Sequence, residues 1–224
     1  MKTAKYIASL FFYTCISTLS FAAEEARPEK TVDGMFLVDG TKMAAVYAKP
    51  GVDLSQYNRI YLLPPQVSFI KNWLQSQNSI PNQRVTSDDM QRIKKELADL
   101  FVEVFRQELQ NNGGYVLVDG VAEDVLIVRP ALVDLNVQSP DTPGTRGSRS
   151  AIASAGSMTL YMELIDSVTG DKLVRAIDNK FDRTRTRIAA TNRSRNEAVA
   201  RNMLSEWASL LRQALDEART VVSK

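Results

Sequence analysis

Between Thr86 and Asn112 apolar side chains recur at helical spacing, and this one stretch dictates what the surrounding chain has to supply. Thr86 or Ser87 can cap the N-terminus, and Asp88 and Asp89 fall in the first turn, where acids suit the helix dipole. Met90, Ile93, Leu97, Leu100, Phe101, Val104 and Leu109 then form one stripe, which Phe105 widens. Gly113 and Gly114 end the helix, because glycine accepts the left-handed turn that follows it. An apolar face of this width cannot stay in water. It has to lie on a sheet.

Strand signals lie on both sides of that helix. Met35–Val38 and Met43–Val46 read as a hairpin turned at Asp39 and Gly40. Arg59 to Ile70 has strand composition, but Pro64 and Pro65 require it to be an edge or to break there. Gln75 to Gln83 reads as a polar connector. After the helix come a short strand at Tyr115–Val118 and a long apolar region, Val125–Val128 and Leu132–Val137, kinked or edged by Pro130. Residues from Ser139 to Ala155 read as a loop. Met158, Leu160, Met162 and Leu164 alternate with polar or aromatic residues, Thr169-Gly170-Asp171 turns the chain, and Leu173 to Arg187 returns as the partner strand. A second long helix follows, with Ser194 and Glu197 matching a capping box and Val199, Met203, Leu204, Trp207, Leu211 and Leu215 on its buried face. The expected fold is a single α+β domain, a mostly antiparallel mixed sheet with two long amphipathic helices packed on it.

The first residues follow a different logic. Lys2 and Lys5 precede an apolar run from Tyr6 to Phe21, then the small residues Ala22 and Ala23, then Glu24, Glu25 and Pro28. That is the pattern of a signal peptide over residues 1–23, cleaved after Ala22 or Ala23. Residues 24–42 then form a flexible lead-in with the short hairpin, and 43–220 the α+β domain. The expected location is the periplasm or the outer membrane, with no transmembrane span once the signal is removed. Cys15, the single cysteine, is preceded by Phe12, Tyr13 and Thr14, a poor context for lipidation. Its removal leaves a chain without disulfides, held by its core alone. The same cut removes Lys2 and Lys5, so the 28 basic and 26 acidic residues become equal in number and the basic balance disappears. Nucleic acid is therefore not an expected partner.

The segment Tyr47-Ala48-Lys49-Pro50-Gly51-Val52-Asp53-Leu54-Ser55-Gln56-Tyr57-Asn58-Arg59-Ile60 resembles the opening motif of an uncharacterised family of exported Gram-negative proteins, domain of unknown function thirty-three thirteen. The turn from Asp166 to Gly170 and the stretch from Trp207-Ala208 to Leu215-Asp216 fit as well, so the resemblance runs from about Met43 to Ala218. Many members look like outer-membrane lipoproteins, and the context of Cys15 departs from that. The resemblance implies no activity, no cofactor and no catalytic residues.

The chain contains no histidine. Without histidine or a mature cysteine, the common zinc sites and the Ser-His and Cys-His nucleophile systems are excluded. Ser68 and Lys71 spell S-x-x-K, but on a strand rather than a helix and without companion elements, so the pattern reads as coincidence. Asp88-Asp89 and Glu123-Asp124 are better explained as helix-start acids and a solvated turn than as a hydrolytic pair. Gly144, Gly147 and Gly156 near Arg146 and Arg149 match no phosphate-binding pattern. Arg183, Arg185 and Arg187 occupy alternate positions of one strand and share a face, with Arg193 and Arg195 close behind. This ladder is either a solvated face or a docking surface for an anionic partner. Phe69, Ile70, Trp73 and Leu74 either close the core beneath a loop or anchor a partner. The expected function is a non-enzymatic exported module that binds another envelope component, and the alternative is a carboxylate-based hydrolase acting on envelope glycans or peptides.

Overall fold

The computed structural model describes residues 27–81, 84–137, 156–182 and 193–222. In chain order the elements are β1 (Phe36–Leu37), β2 (Ala45–Ala48), β3 (Arg59–Leu62), β4 (Gln66–Phe69), α1 (Trp73–Asn78), α2 (Ser87–Gln107), β5 (Val116–Leu117), β6 (Val125–Asn136), β7 (Ser157–Asp166), β8 (Lys172–Phe181) and α3 (Arg193–Val222). One mixed sheet runs β1-β2-β8-β7-β6-β3-β5, and β4 pairs with β6 beyond β3. The pairings from β1 through β2, β8 and β7 to β6 are antiparallel, and those of β3 with β6, β4 with β6 and β3 with β5 are parallel. The α+β class and the two long amphipathic helices read from the sequence are what the chain builds.

The prolines decide the middle of the sheet. Pro64-Pro65 split the strand expected over Arg59–Ile70 into β3 and β4, which both lie along β6. Pro130 neither ends β6 nor puts it at an edge. It pairs opposite Met162 inside a continuous strand. Leu62 pairs with Val128 and Gln66 with Ala131, so the register sets Pro64 and Pro65 beside Pro130. The residue of β6 without an N–H thus falls where the neighbouring strand is also interrupted.

A second irregularity sits near the end of β6. Strict alternation from Leu132 would turn Asp134 into the core. Instead the register slips between Val133 and Asn136, Asp134 takes φ 52°, and Leu135 turns inward. A bulge of this kind re-aims the side chains that follow it.

α2 begins with a reciprocal cap, in which the Asp89 N–H donates to Thr86 Oγ1 at 3.1 Å and the Thr86 N–H donates to Asp89 Oδ2 at 3.0 Å. The helix then runs into a five-residue π turn, Glu108–Asn112, and ends at Gly114, which takes φ 66°. α3 starts at Arg193, so the expected cap Ser194 lies inside the helix. The connector after β4 contains an unexpected short helix, α1, whose polar sequence offers no apolar periodicity.

Both long helices pack on one face of the sheet. Phe101, Val104 and Phe105 of α2 and Leu204, Trp207 and Leu211 of α3 meet Leu126, Leu132 and Leu160 there. Trp207 Nε1 donates to Asp178 Oδ2 at 2.7 Å, which seats α3 on β8. The helices also join each other, through Arg201 to Glu103 and Arg212 to Glu108, both at 2.8 Å. Among the described residues neither long helix lies on the other face, which carries a small cluster in which Met35 covers Ala45 and Tyr47.

Candidate functional site

The helix-free face carries a charged row that the sequence pattern did not reveal. Tyr47, Arg175, Glu163 and Arg129 stand directly opposite one another on β2, β8, β7 and β6. Glu163 is buried at the centre. Its carboxylate accepts hydrogen bonds from Arg129 Nε at 3.1 Å, Arg175 Nη2 at 3.0 Å and Tyr161 Oη at 2.9 Å, and pairs with Lys172 at 3.2 Å. Burial alone would push its pKa up. The bonds from Arg129, Arg175, Tyr161 and Lys172 outweigh that and hold it at about 2. Arg175 also reaches Asp33 at 2.6 Å, which ties the N-terminal segment to the sheet. Every acceptor position of Glu163 faces a donor, so this cluster is a structural lock rather than an open site.

A groove opens on the other face, between α2, the first part of α3 and one end of β6 and β7. It holds about 350 Å³. Leu97, Leu100, Leu135, Met158 and Met203 make its apolar floor. The amphipathic stripe of α2 supplies the first two, and the bulge at Asp134 supplies Leu135. Glu96, Asp99 and Glu103 follow one another along α2 at the rim, and Glu197 and Arg201 face them from α3. With Arg92, the described lining residues comprise four carboxylates and two guanidinium groups. Gly156 closes one end, at φ 136°, where a side chain would meet the Asn136 carbonyl oxygen at 2.8 Å.

The residues singled out in the sequence are placed as follows. Phe69 and Trp73 stack with ring centroids 4.1 Å apart. Trp73 is buried, and its Nε1 donates to the Val137 carbonyl at 3.0 Å. It therefore closes the core between α1 and the end of β6 and is not on the surface as an anchor. Ser68 and Lys71 are both exposed, at an outer strand and in the turn after it. Asp89 is committed to the helix cap, Asp88 is exposed, and Asp124 pairs with Arg59. Arg183, Arg185, Arg187 and Cys15 lie outside the described residues, as do Gly144, Gly147, Arg146 and Arg149. Arg193 and Arg195 begin α3, with side chains outside the described set.

The acids share one tendency. Among the described residues, each carboxyl with a displaced pKa lies below its ordinary value. Asp33 is held down first by Arg175, Asp89 by Thr86, Asp124 by Arg59, Asp166 by the Thr169 N–H and Asp171 by Lys49. A hydrolase of glycans needs the opposite, one carboxyl raised to act as an acid. Among the described residues no three acidic side chains are grouped to hold a metal ion, and no helix is long and apolar enough to cross a membrane.

The fold and these sites define a single-domain α+β protein with a helix-walled groove on one face of its sheet. The chain belongs to the family described as a protein of unknown function, DUF3313, whose pattern matches residues 38–211. No curated protein matches it. Among solved structures it is similar to a PelC dodecamer from Paraburkholderia phytofirmans, with 12% identity, 75% of this chain and 96% of that chain covered and a TM-score of 0.37. It is also similar to the protein XCC0632 from Xanthomonas campestris, of family DUF330, with 12% identity, 79% and 94% coverage and a TM-score of 0.39. Rare lipoprotein B from Shewanella oneidensis is similar at 18% identity, over 75% of this chain and 100% of that chain, with a TM-score of 0.30.

Proposed function

We propose that this chain is a non-enzymatic binding module of the cell envelope, and that the groove between α2 and α3 receives its partner. The observation that carries the reading is the groove's make-up, an apolar floor of leucine and methionine framed by exposed acids. Binding sites combine an apolar body with a few polar groups that set orientation, and this groove has both. Its acids point along the rim. Asp99 pairs with Lys95 at 2.6 Å, and Glu103 and Glu197 share Arg201 at 2.8 and 3.5 Å. Glu103 and Glu197 stand on opposite walls with Arg201 held between them, which favours recognition over hydrolysis, where the substrate itself must lie between two carboxyls. The signal-like residues 1–23 support export. Arg183, Arg185 and Arg187 belong to the same proposal, as a face for an anionic envelope component.

The test places a photo-crosslinking residue at Asp99 and, as a control, at the exposed Glu217 near the far end of α3, in cells that are then fractionated. A defined adduct from Asp99 alone, on a chain whose intact mass begins at Ala23 or Glu24, supports the reading. Equal labelling from both positions, or turnover of an envelope glycan or peptide by the purified chain, overturns it. A triple substitution of Arg183, Arg185 and Arg187 that leaves the envelope complex intact removes the arginine face from the proposal.

A further inference from the structure

We infer that the groove takes a basic, amphipathic segment of a partner protein, laid as a third helix between α2 and α3. This rests on the reading of the groove as the binding site. Three features of the groove specify the occupant.

The first is charge. Asp99, Glu103 and Glu197 are exposed on both walls, and among the described residues the lining carries two more acids than bases. Arg92 pairs with Glu96 at 3.4 Å, and the cations beside the other three acids do not fully cancel them. Lys95, the partner of Asp99, is itself largely exposed, and Arg201 divides itself between Glu103 and Glu197. Exposed pairs of this kind are weak and exchange readily for a better-placed cation. An incoming lysine or arginine is drawn to this rim, and a phosphate or carboxylate is repelled.

The second is the floor. Leu97, Leu100, Met158 and Met203 present hydrocarbon and thioether. Methionine adapts its shape to the side chain above it, which suits the apolar residues of a peptide. A cationic sugar would set hydroxyl groups against this floor without hydrogen-bond partners, at a cost.

The third is shape. The α2 wall from Arg92 to Glu103 spans about 17 Å at helical rise, about three turns. Two helical walls over an apolar floor match the mode in which an amphipathic helix lays its apolar face into a groove. The occupant then carries apolar residues three and four apart, with lysine or arginine on both flanks.

Met158 and Met203 also give the experiment its reporters, and Met35 on the helix-free face gives the control. The full mature chain is labelled with methyl-13C methionine and titrated with a helical leucine-lysine peptide, and separately with its counterpart bearing glutamate for every lysine. The leucine-lysine peptide is expected to shift the Met158 and Met203 methyl signals, to leave Met35 unmoved, and to bind less tightly as salt rises. Asp99→Lys with Glu197→Lys, both at exposed positions, is expected to weaken that binding roughly tenfold, as two reversed surface charges would. If the double variant melts lower than the wild type, Asp99→Lys alone carries the comparison. Equal or tighter binding of the leucine-glutamate peptide overturns the basic occupant and leaves the groove standing as a binding site. Failure of both peptides to move Met158 and Met203 overturns the peptide-helix occupant, and crosslinking at Asp99 then decides the binding role separately.

Discussion

Replacing Glu163 with glutamine tests the electrostatic lock on the helix-free face. The Glu163 side chain is 4% exposed and faces Arg129, Arg175, Lys172 and Tyr161. Its carboxyl is held at about 2, against 4.5 when unperturbed. At about 1.4 kcal/mol per pH unit, that difference corresponds to about 3 kcal/mol of native-state stability. Removing one partner of a buried ion pair costs about 3–5 kcal/mol. The lower end applies, because Arg129 and Lys172 are 48% and 42% exposed and can be hydrated, while Arg175 keeps Asp33. Glu163→Gln is therefore expected to lose about 3 kcal/mol and to melt roughly 6–12 °C lower.

The pH dependence follows in sign. The folded pKa lies below the unfolded one, so the contribution is complete above pH 4.5 and is lost as pH falls toward about 2. The gap between wild type and variant should be widest at pH 7 and roughly halved near pH 3. Urea unfolding followed by the fluorescence of the buried Trp73 and Trp207 measures it at both values. A gap below about 1 kcal/mol at pH 7, or one that does not change at pH 3, would refute the argument.

Trp73→Phe should keep the stacking on Phe69 and lose the bond to the Val137 carbonyl, for about 1 kcal/mol, whereas Trp73→Ala should cost about 3–5 kcal/mol; chemical denaturation separates the two. Thr86→Ala should lose the reciprocal cap and about 1 kcal/mol, read as a lower melting temperature with unchanged helix content at 25 °C. Gly156→Ala should be destabilised by about 1–3 kcal/mol, since it meets both an unfavourable φ and the Asn136 carbonyl, and methyl-13C spectra should show the disturbance at Met158 before Met35.

Much of the frame was legible because it rests on local rules. The 3.6-residue stripe of α2, its Thr86 cap, the alternation of β7 and the turn at Thr169-Gly170 all follow from side chains close in sequence. The groove walls were legible for the same reason, as the two amphipathic helices. What escaped depends on register. Glu163 reads as an outward polar residue of an alternating strand, and nothing near it in sequence shows that Arg129 and Arg175 stand opposite on separate strands. Pro130 reads as a strand breaker until Pro64 and Pro65 are set beside it. Asp134 reads as a core violation until the bulge moves it out. The acidic rim is not legible in the sequence, because Glu96, Asp99 and Glu103 look like an ordinary solvated face, and Glu197, which turns that face into one wall of a groove, lies a long way along the chain.

The Tyr47–Ile60 motif, which lies inside the family match, is itself a piece of framework. Lys49 donates its N–H to Leu173 and pairs with Asp171 at 2.6 Å, and Tyr57 Oη donates to Asp166 at 2.7 Å. The N–H groups of Asn58 and Arg59 both donate to the Asp124 carbonyl at 3.1 Å, and Arg219 near the end of α3 reaches the Tyr57 carbonyl at 3.4 Å. These residues bind the β7–β8 turn, the start of β6 and the last turns of α3 into one end of the molecule. The groove is at the other end, where β6 finishes and β7 begins. Twelve residues of strand separate the two, about 40 Å at extended rise. Substitutions in the motif should therefore act through stability, and substitutions of the exposed rim acids Asp99 and Glu197 through binding with stability nearly unchanged. A segment with that role supports the fold at one end of the sheet, so family membership by itself names no ligand, and the proposed occupant rests on the acids around the groove.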